Sequence, residues 1–418
     1  MRRAAALGAV MATVLLAACA SAQAPAEPIA LRVVMADDWA SAPVVGRVID
    51  AFERDNPGVR VQVQPSPFSQ IPELVTAANE LGQPYELAHW HAFAAAAAGT
   101  AQPIDDLWDE AGLRIEDFLP GAIDDVTWEG ERYGVPLDVN ALVLMANADQ
   151  LRDAGITPAD LLTPERFRVS AAMLRRDTDA DHAIAVTANS WAAYGWITAA
   201  GGRLIDGTDA SGSPRFTFED PRNIEALDLL VDMIVSGDAP PPFAPDLSID
   251  AVASFSQGLT PLHVSGSWDL PITRRASQVD DGVEDIVILP LPQRDPADPQ
   301  TVLGGSSLFV PRGAEHRELA FELMLALTTD EIALELAGQE GRLPARASVY
   351  DAPLFASSPD LAAFVEQLPD ANVMPLIAYP EVAAAFRDGL ERALAQQRSP
   401  AEAMAEVQAF ADRWAEDR

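Results

Sequence analysis

The spacing of the apolar residues changes twice along the first part of the chain. They stand at every second position over residues 31–35 and 59–63, and at helical spacing over residues 44–52. These patterns predict a strand, a helix and a second strand, with Asn56-Pro57-Gly58 ending the helix. A strand–helix–strand unit predicts a sheet whose central strands are parallel.

Later segments continue this alternation of strands and helices. Apolar runs predict strands at 86–89, 142–145, 183–186, 286–289 and 308–310, and helical spacing predicts helices at 224–235, 318–327, 331–336 and 401–414. The 418 residues are too many for one compact doubly wound sheet. We therefore predict an α/β fold of two lobes, each a mostly parallel sheet with helices on both faces, separated by a cleft.

Polar and aromatic residues follow several of the predicted strands. Ligands of such sheets bind at the carboxyl ends of the strands, so these residues are candidates for the binding site. The candidates selected by this rule are Asp37, Asp38, Trp39, His89, Trp90, His91, Asp138, Asn140, Gly304 and Gly305.

The chain is strongly acidic, with a formal net charge of −35. Its 28 basic residues are all Arg. Such a chain repels phosphate backbones and anionic lipid, so nucleic acid is not an expected partner and charge does not attach the protein to a membrane. We interpret the charge as a contribution to solubility.

The N-terminus is typical of an exported protein. Arg2 and Arg3 precede an apolar run over 4–18 that is too short to span a membrane, which predicts a signal peptide over 1–18. The order Leu16-Ala17-Ala18-Cys19 resembles the lipobox of bacterial lipoproteins, which implies lipidation of Cys19 and a membrane anchor. The alternative is an ordinary signal peptide. Residues 19–29 are small and polar and predict a flexible tether.

Four later segments together resemble one family, the family 1 extracellular solute-binding proteins (maltose-binding-protein-like receptors of ABC importers). The segments are Tyr133–Asn140 with Leu144–Asn147 and Leu151–Ile156, Phe255–Gly258 with Gly266–Pro271, Gly304–Pro311 with Glu318–Leu327, and Gly341–Arg346. Their order along the chain is more specific than any one of them. Met145 and Ala146 stand where the family usually has an aromatic residue.

The resemblance implies a periplasmic-binding-protein-like fold with three hinge crossings, near Asp138, Leu289 and Thr329. It places 30–138 with 290–328 in the N-lobe and 139–289 with 329–418 in the C-lobe. It also implies an exported, monomeric receptor without cofactor or catalytic activity, which delivers its solute to the permease subunits of an ABC transporter.

The solute expected from this resemblance is a small sugar or oligosaccharide. Sugar sites combine aromatic rings with side chains that exchange hydrogen bonds. Besides the strand-end candidates, the sequence offers Trp191, Tyr194, Trp196 and Trp268 as rings, and Asp269 and Arg342 as polar groups. We expect one of the three aromatic residues between 191 and 196 to reach the cleft.

Three alternatives remain open at this stage. His89 and His91 could hold Zn²⁺, but no third ligand accompanies them, so a contact with a sugar hydroxyl is preferred and no metal is assigned. A polyamine would suit Asp residues beside Trp. A secreted hydrolase acting on carbohydrates would need paired carboxylates, but no nucleophile elbow, phosphate loop or His-Glu-x-x-His motif accompanies them.

Overall fold

The computed structural model describes residues 28–417, apart from 209–211, 243–246, 280–282 and 284. Cys19, the predicted signal peptide and most of the predicted tether lie outside the described residues.

The described residues contain strands of two to nine residues. They are β1 Ile29–Ala36, β2 Val59–Ser66, β3 Leu87–Trp90, β4 Thr127–Trp128, β5 Glu131–Arg132, β6 Gly134–Ala141, β7 Val143–Asn147, β8 Ile205–Thr208, β9 Pro214–Phe216, β10 Leu262–Ser265, β11 Ile286–Leu289, β12 Thr301–Phe309, β13 Leu343–Pro344 and β14 Ala371–Val373.

Helices cover much of the remaining chain. They are α1 Asp37–Ser41, α2 Pro43–Asp55, α3 Ile71–Glu80, α4 Ala92–Ala97, α5 Asp105–Ala111, α6 Pro120–Asp124, α7 Ala148–Asp153, α8 Pro164–Asp177, α9 Ser190–Ala199, α10 Pro221–Ser236, α11 Leu247–Ser256, α12 Leu270–Val279, α13 Arg317–Leu327, α14 Asp330–Glu340, α15 Pro353–Ser357, α16 Pro359–Val365, α17 Pro380–Leu394 and α18 Pro400–Glu416.

The larger sheet begins as the sequence predicts. Its strand order is β13-β6-β12-β3-β1-β2, and β14 pairs with β12. β1 is parallel to β2 and to β3, which confirms the predicted βαβ unit. β12 runs antiparallel to β3 and to β6. The carboxyl ends of β1 and β3 therefore lie side by side, and β12 brings Ser307 opposite Trp90.

The second sheet differs from the predicted parallel arrangement. Its order is β10-β7-β11, and both pairings are antiparallel. The predicted strand at 183–186 is wrong, because this segment makes only an isolated bridge from Ile184 to Leu262. Ala183, Ile184 and Val186 are buried in a core, and burial alone produces the same apolar run as a strand.

Two main clusters of buried side chains accompany the two sheets. The larger surrounds β1, β3, β6 and β12, and the smaller is built around β7, α9, α10, α17 and α18. Alternate residues of β7 belong to different clusters: Val143 and Met145 to the larger, Leu144 and Ala146 to the smaller. Residues 336–368 contact both sheets, because β13 pairs with β6 and α16 packs on β11. The lobe boundaries therefore stay a prediction.

Phe386→Ala should destabilise the smaller cluster. The Phe386 ring is fully buried and lies 5.7 Å from the ring of Phe218. Its removal leaves a cavity, so urea unfolding should show a loss of about 3–5 kcal/mol. Val169→Ala is the control, because Val169 is 62% exposed and should change stability by less than about 0.5 kcal/mol. Equal losses in both variants would contradict the packing.

Candidate functional site

β6 and β12 bring four of the predicted site residues together. Asn140 pairs with Gly304, and Asp138 pairs with Ser306. A Cβ on Gly304 would lie 2.1 Å from Asn140 Oδ1, so this position needs glycine for close packing. Gly305 has φ +125°, and a Cβ there would lie 2.4 Å from the carbonyl oxygen of Asp138. Two glycines thus allow the strands and the neighbouring side chains to meet at this point.

A chain of hydrogen bonds links the end of β1 to Asp138. The peptide N–H of Ala36 donates to His89 Nδ1 at 3.3 Å, so the proton of the neutral ring is on Nε2. His89 Nε2 then donates to Ser306 Oγ at 2.7 Å, and Ser306 Oγ donates to Asp138 Oδ1. All three side chains are buried.

Burial changes the protonation of both ends of this chain. Loss of hydration, with a smaller contribution from His91, lowers the pKa of His89 to about 3. Loss of hydration raises the pKa of Asp138 to about 7, although the hydrogen bond from Ser306 acts in the opposite direction. A neutral His89 agrees with its role as a donor through one nitrogen and an acceptor through the other.

Arg342 connects the same cluster to α1, the short helix that directly follows β1. Its guanidinium contacts the carboxylate of Asp38 and lies 3.8 Å from Asp138 Oδ2. It also lies over the ring of Trp39, 5.7 Å from its centroid, while Trp39 itself is buried. Burial lowers the pKa of Arg342 to about 10, so it remains a cation at neutral pH. Asp37 is exposed at the start of α1 and takes no part in this cluster.

The neighbouring His91 belongs to a second polar group that the sequence analysis missed. His91 Nδ1 lies 2.6 Å from Asp125 Oδ1, and Ser307 Oγ lies 2.8 Å from Asp125 Oδ2. Phe68 contacts both His89 and His91 with centroid distances of 5.4 Å. The position of Ser307 after the Gly-Gly pair was the one available signal for this group.

The structure gives no support to a metal at the two histidines. Among the described residues, no group of three or more His, Cys, Asp or Glu side chains is placed to hold a metal ion. Both ring nitrogens of His89 are occupied by hydrogen bonds. Trp90, between the histidines, lines a separate cavity of about 410 Å³ with Ala94, Phe309 and Ile377.

Trp191, Trp268 and Asp269 lie at another cavity, of about 450 Å³. The residues that line it come from the segment 142–272 and are mostly apolar. The rings of Trp191 and Trp268 contact each other, with centroids 5.8 Å apart. Trp191 Nε1 donates to the carbonyl of Leu303, the residue before Gly304, at 3.2 Å. The tryptophan pair therefore lies next to the β6–β12 glycines.

Local structure explains the positions of the two tryptophans. Asn189 Oδ1 accepts from the peptide N–H of Trp191 at 2.8 Å and begins α9, which fixes Trp191 in the first turn. A Cβ on Gly266 would lie 1.9 Å from the ring of Trp268, so the glycine provides space for that ring.

Asp269 is held by two residues of β10 that the sequence analysis did not select. His263 Nε2 lies 2.8 Å from Asp269 Oδ2, and Ser265 Oγ donates to the same oxygen at 2.5 Å. His263 and Ser265 alternate on β10, so both side chains lie on one face of that strand. This alternation was visible in the sequence.

Tyr194 lies apart from the other predicted residues. It is 4% exposed and packs in the smaller cluster, where burial raises the pKa of its hydroxyl to about 12. Trp196 lines the cavity together with Trp191. No described contact places Tyr194 at the cavity, and its predicted role in binding stays a prediction.

Comparison with protein families gives a direct match to this architecture. A family described as bacterial extracellular solute-binding protein matches residues 47–363. The chain belongs to this family. The predicted class of receptor is thereby confirmed, and the family's extracellular location indicates that the protein is exported.

Individual relatives agree with the family match. A binding protein of Brucella abortus (strain 2308) is 23% identical over 354 residues, which are 81% of each chain. The maltotriose-binding protein of Pyrococcus abyssi (strain GE5 / Orsay) is 24% identical over 324 residues, covering 74% of this chain and 66% of the relative.

Solved structures confirm the two-lobed α/β fold. The GacH receptor of Streptomyces glaucescens, solved without ligand and with acarbose, has a TM-score of 0.80 at 20% identity, covering 93% of this chain and 99% of the receptor. Maltose-bound MalE3 of T. maritima has a TM-score of 0.80 at 20% identity, covering 92% and 100%. Within the described part of this solute-binding protein, no helix is long and apolar enough to cross a membrane.

The shifted pKa values of Asp138 and His89 act on stability in opposite directions. Asp138 has a pKa of 3.8 when unfolded and about 7 when folded, so the folded state binds more protons and stability falls as pH rises between these values. His89 has a pKa of 6.5 when unfolded and about 3 when folded, so stability rises with pH between these values.

Asp138→Asn should therefore steepen the pH dependence of stability. Without the Asp138 carboxyl, the free energy of unfolding should rise more steeply between pH 3.8 and 6.5 than in the original protein, because the His89 contribution is no longer offset. Urea unfolding at several pH values in this window measures the slope. Asp37→Asn, at an exposed position, should leave the slope unchanged. Parallel profiles for all three proteins would contradict the prediction.

Proposed function

We propose that this solute-binding protein captures a small sugar or oligosaccharide and delivers it to the permease of an ABC importer. The main support is the contacting pair Trp191–Trp268 beside a cavity of about 450 Å³, with the Asp269 carboxylate in its wall. Aromatic faces suit the C–H faces of sugar rings, and a carboxylate accepts hydrogen bonds from hydroxyls. The names of relatives that bind maltotriose, maltose and acarbose support the same ligand class.

The proposed mechanism is closure of the two lobes around the solute. Trp191 already contacts the strand that carries Gly304, and a Cβ on Gly341 would lie 2.2 Å from the carbonyl oxygen of Ser267. Small movements here would change the cavity and the Arg342 loop together. A solute that contacts both lobes favours the closed state, and that state docks on the permease as a monomer. The solute is released without chemical change.

We also propose that Cys19 anchors the protein to the membrane through a lipid. The support is the segment Leu16–Cys19 and the absence of any other cysteine in the chain. Cys19→Ser should move the exported protein from the membrane fraction to the soluble fraction and abolish incorporation of labelled fatty acid. Solute affinity should not change. Continued membrane association and labelling of the variant would reject the anchor.

A thermal-shift screen of the purified protein tests the ligand class. Mono- and oligosaccharides, polyols, polyamines and Zn²⁺ are compared. A ligand at one hundred times its dissociation constant adds about 2.7 kcal/mol to the free energy of unfolding. A sugar that raises Tm supports the proposal. A response to polyamines or Zn²⁺ with no response to any sugar would replace it.

Trp268→Ala should then weaken binding of the responding sugar by well over tenfold, because the ring supplies one wall of the cavity. Calorimetric titration measures the affinity, and urea unfolding checks that the variant is folded. Trp108→Phe is the matched control, since Trp108 is buried in the larger cluster away from the cavity. An unchanged affinity of Trp268→Ala would remove Trp268 from the site.

A further inference from the structure

Buried acids in this protein follow a common rule. Five acidic side chains among the described residues are 4% to 8% exposed: Glu86, Asp125, Asp138, Asp238 and Asp269. Burying a carboxylate is costly unless its oxygens accept hydrogen bonds or meet a cation. The partners of each oxygen therefore show whether the folded chain satisfies the group by itself.

Four of these acids have a protein partner at each oxygen. The partners are the peptide N–H groups of Glu315 and His316 for Glu86, His91 and Ser307 for Asp125, Ser306 and Arg342 for Asp138, and Arg175 and Ser236 for Asp238. The fold satisfies these four carboxylates without any ligand.

Asp269 departs from the rule. Its two donors, His263 and Ser265, both lie at Oδ2, and no donor among the described residues lies at Oδ1. Asp269 is 4% exposed, and it lines the cavity of about 450 Å³ beside Trp268. The unpartnered oxygen therefore depends on the contents of that cavity for a hydrogen bond.

The rest of the cavity determines which groups suit this oxygen. Its described polar lining consists of Thr187, Asn189, His263, Ser265 and Asp269, and no Arg is among the residues that line it. A negatively charged group there would lie near the Asp269 carboxylate, with no Arg in the described lining to balance it. A hydroxyl or a protonated amine would supply the missing donor.

We infer that Asp269 is a specificity-determining residue for the solute. Its Oδ1 accepts a hydrogen bond from an O–H or N–H group of a ring bound in the cavity, and it excludes solutes that carry an anionic group there. His263 and Ser265 position the carboxylate by holding the other oxygen. This inference rests on the proposed sugar-binding function and adds the chemical class that the site selects.

The first test compares matched solutes on the original protein. Glucose and maltotriose are each titrated by calorimetry in three forms: neutral, with an amino group in place of one hydroxyl, and oxidised to the uronic acid. The neutral or the amino form should bind at least about tenfold more tightly than the acid form. A preference for the amino form would identify an amine donor, and equal affinities of these two would identify a hydroxyl.

The second test changes the charge of the residue while keeping its shape. Asp269→Asn retains an oxygen for His263 and Ser265 and presents an amide N–H₂ to the cavity. The ratio of neutral to acid affinity should fall by about tenfold or more. Asp238→Asn is the control, because Asp238 is equally buried but has partners at both oxygens. This variant should keep the original ratio.

The outcomes separate this inference from the proposed function. If sugars bind but the acid forms bind as well as the neutral ones, or if Asp269→Asn keeps the ratio, the role of Asp269 is wrong and sugar binding stands. If no form of either sugar binds and no other sugar of the thermal-shift screen binds, the sugar-binding proposal fails and this inference fails with it. The comparison on the original protein remains decisive if Asp269→Asn does not fold.

Discussion

The close approach of β6 and β12 is the constraint on which the site depends. The register of the two strands shifts between Ser306 and Ser307, and the backbone of the preceding Gly305 has a positive φ that residues other than glycine rarely adopt. Two consecutive serines at this shift serve two separate groups: Ser306 binds His89 and Asp138, and Ser307 binds Asp125. A Cβ at Gly305 would lie 2.4 Å from the carbonyl oxygen of Asp138, so a larger residue there would displace the backbone at this point.

The two groups of site residues differ in how many of their polar atoms already have hydrogen-bond partners within the protein. In the first group, Arg342 is balanced by Asp38 and Asp138, and both nitrogens of His89 have partners. A solute that binds Arg342 or His89 must replace existing hydrogen bonds, so each new contact there brings a small net gain. In the proposed binding mode, a solute in the cavity would contact Asp269 Oδ1 and the aromatic walls without breaking any described hydrogen bond.

The sequence was sufficient for the βαβ unit, because alternation and strand order determine where its strands lie. It placed Asp138, Asn140, Gly304 and Gly305 after strands, whereas they lie within β6 and β12. It could not separate Trp191 from Tyr194. Residues 193–199 of α9 are all buried, so the helix has no polar face from which a direction could be read. Asp125 was missed for another reason. It contacts His91 and Ser307, which are distant from it in the sequence, and no local sequence pattern predicts such a contact. The antiparallel pairing in the second sheet is likewise set by distant segments.

These differences lead to an expectation about the order of contacts during capture. A solute in the cavity can use the aromatic walls and Asp269 while the Arg342 cluster keeps its own hydrogen bonds. Contacts with that cluster require its rearrangement, and Gly341 next to Arg342 is packed against Ser267, the residue before Trp268. We therefore expect a solute in the cavity to displace the Gly341–Ser267 contact before it alters the hydrogen bonds of Arg342. Because Ser267 is next to Trp268 and Gly341 is next to Arg342, this contact is one path by which a solute bound in the cavity would change the polar cluster.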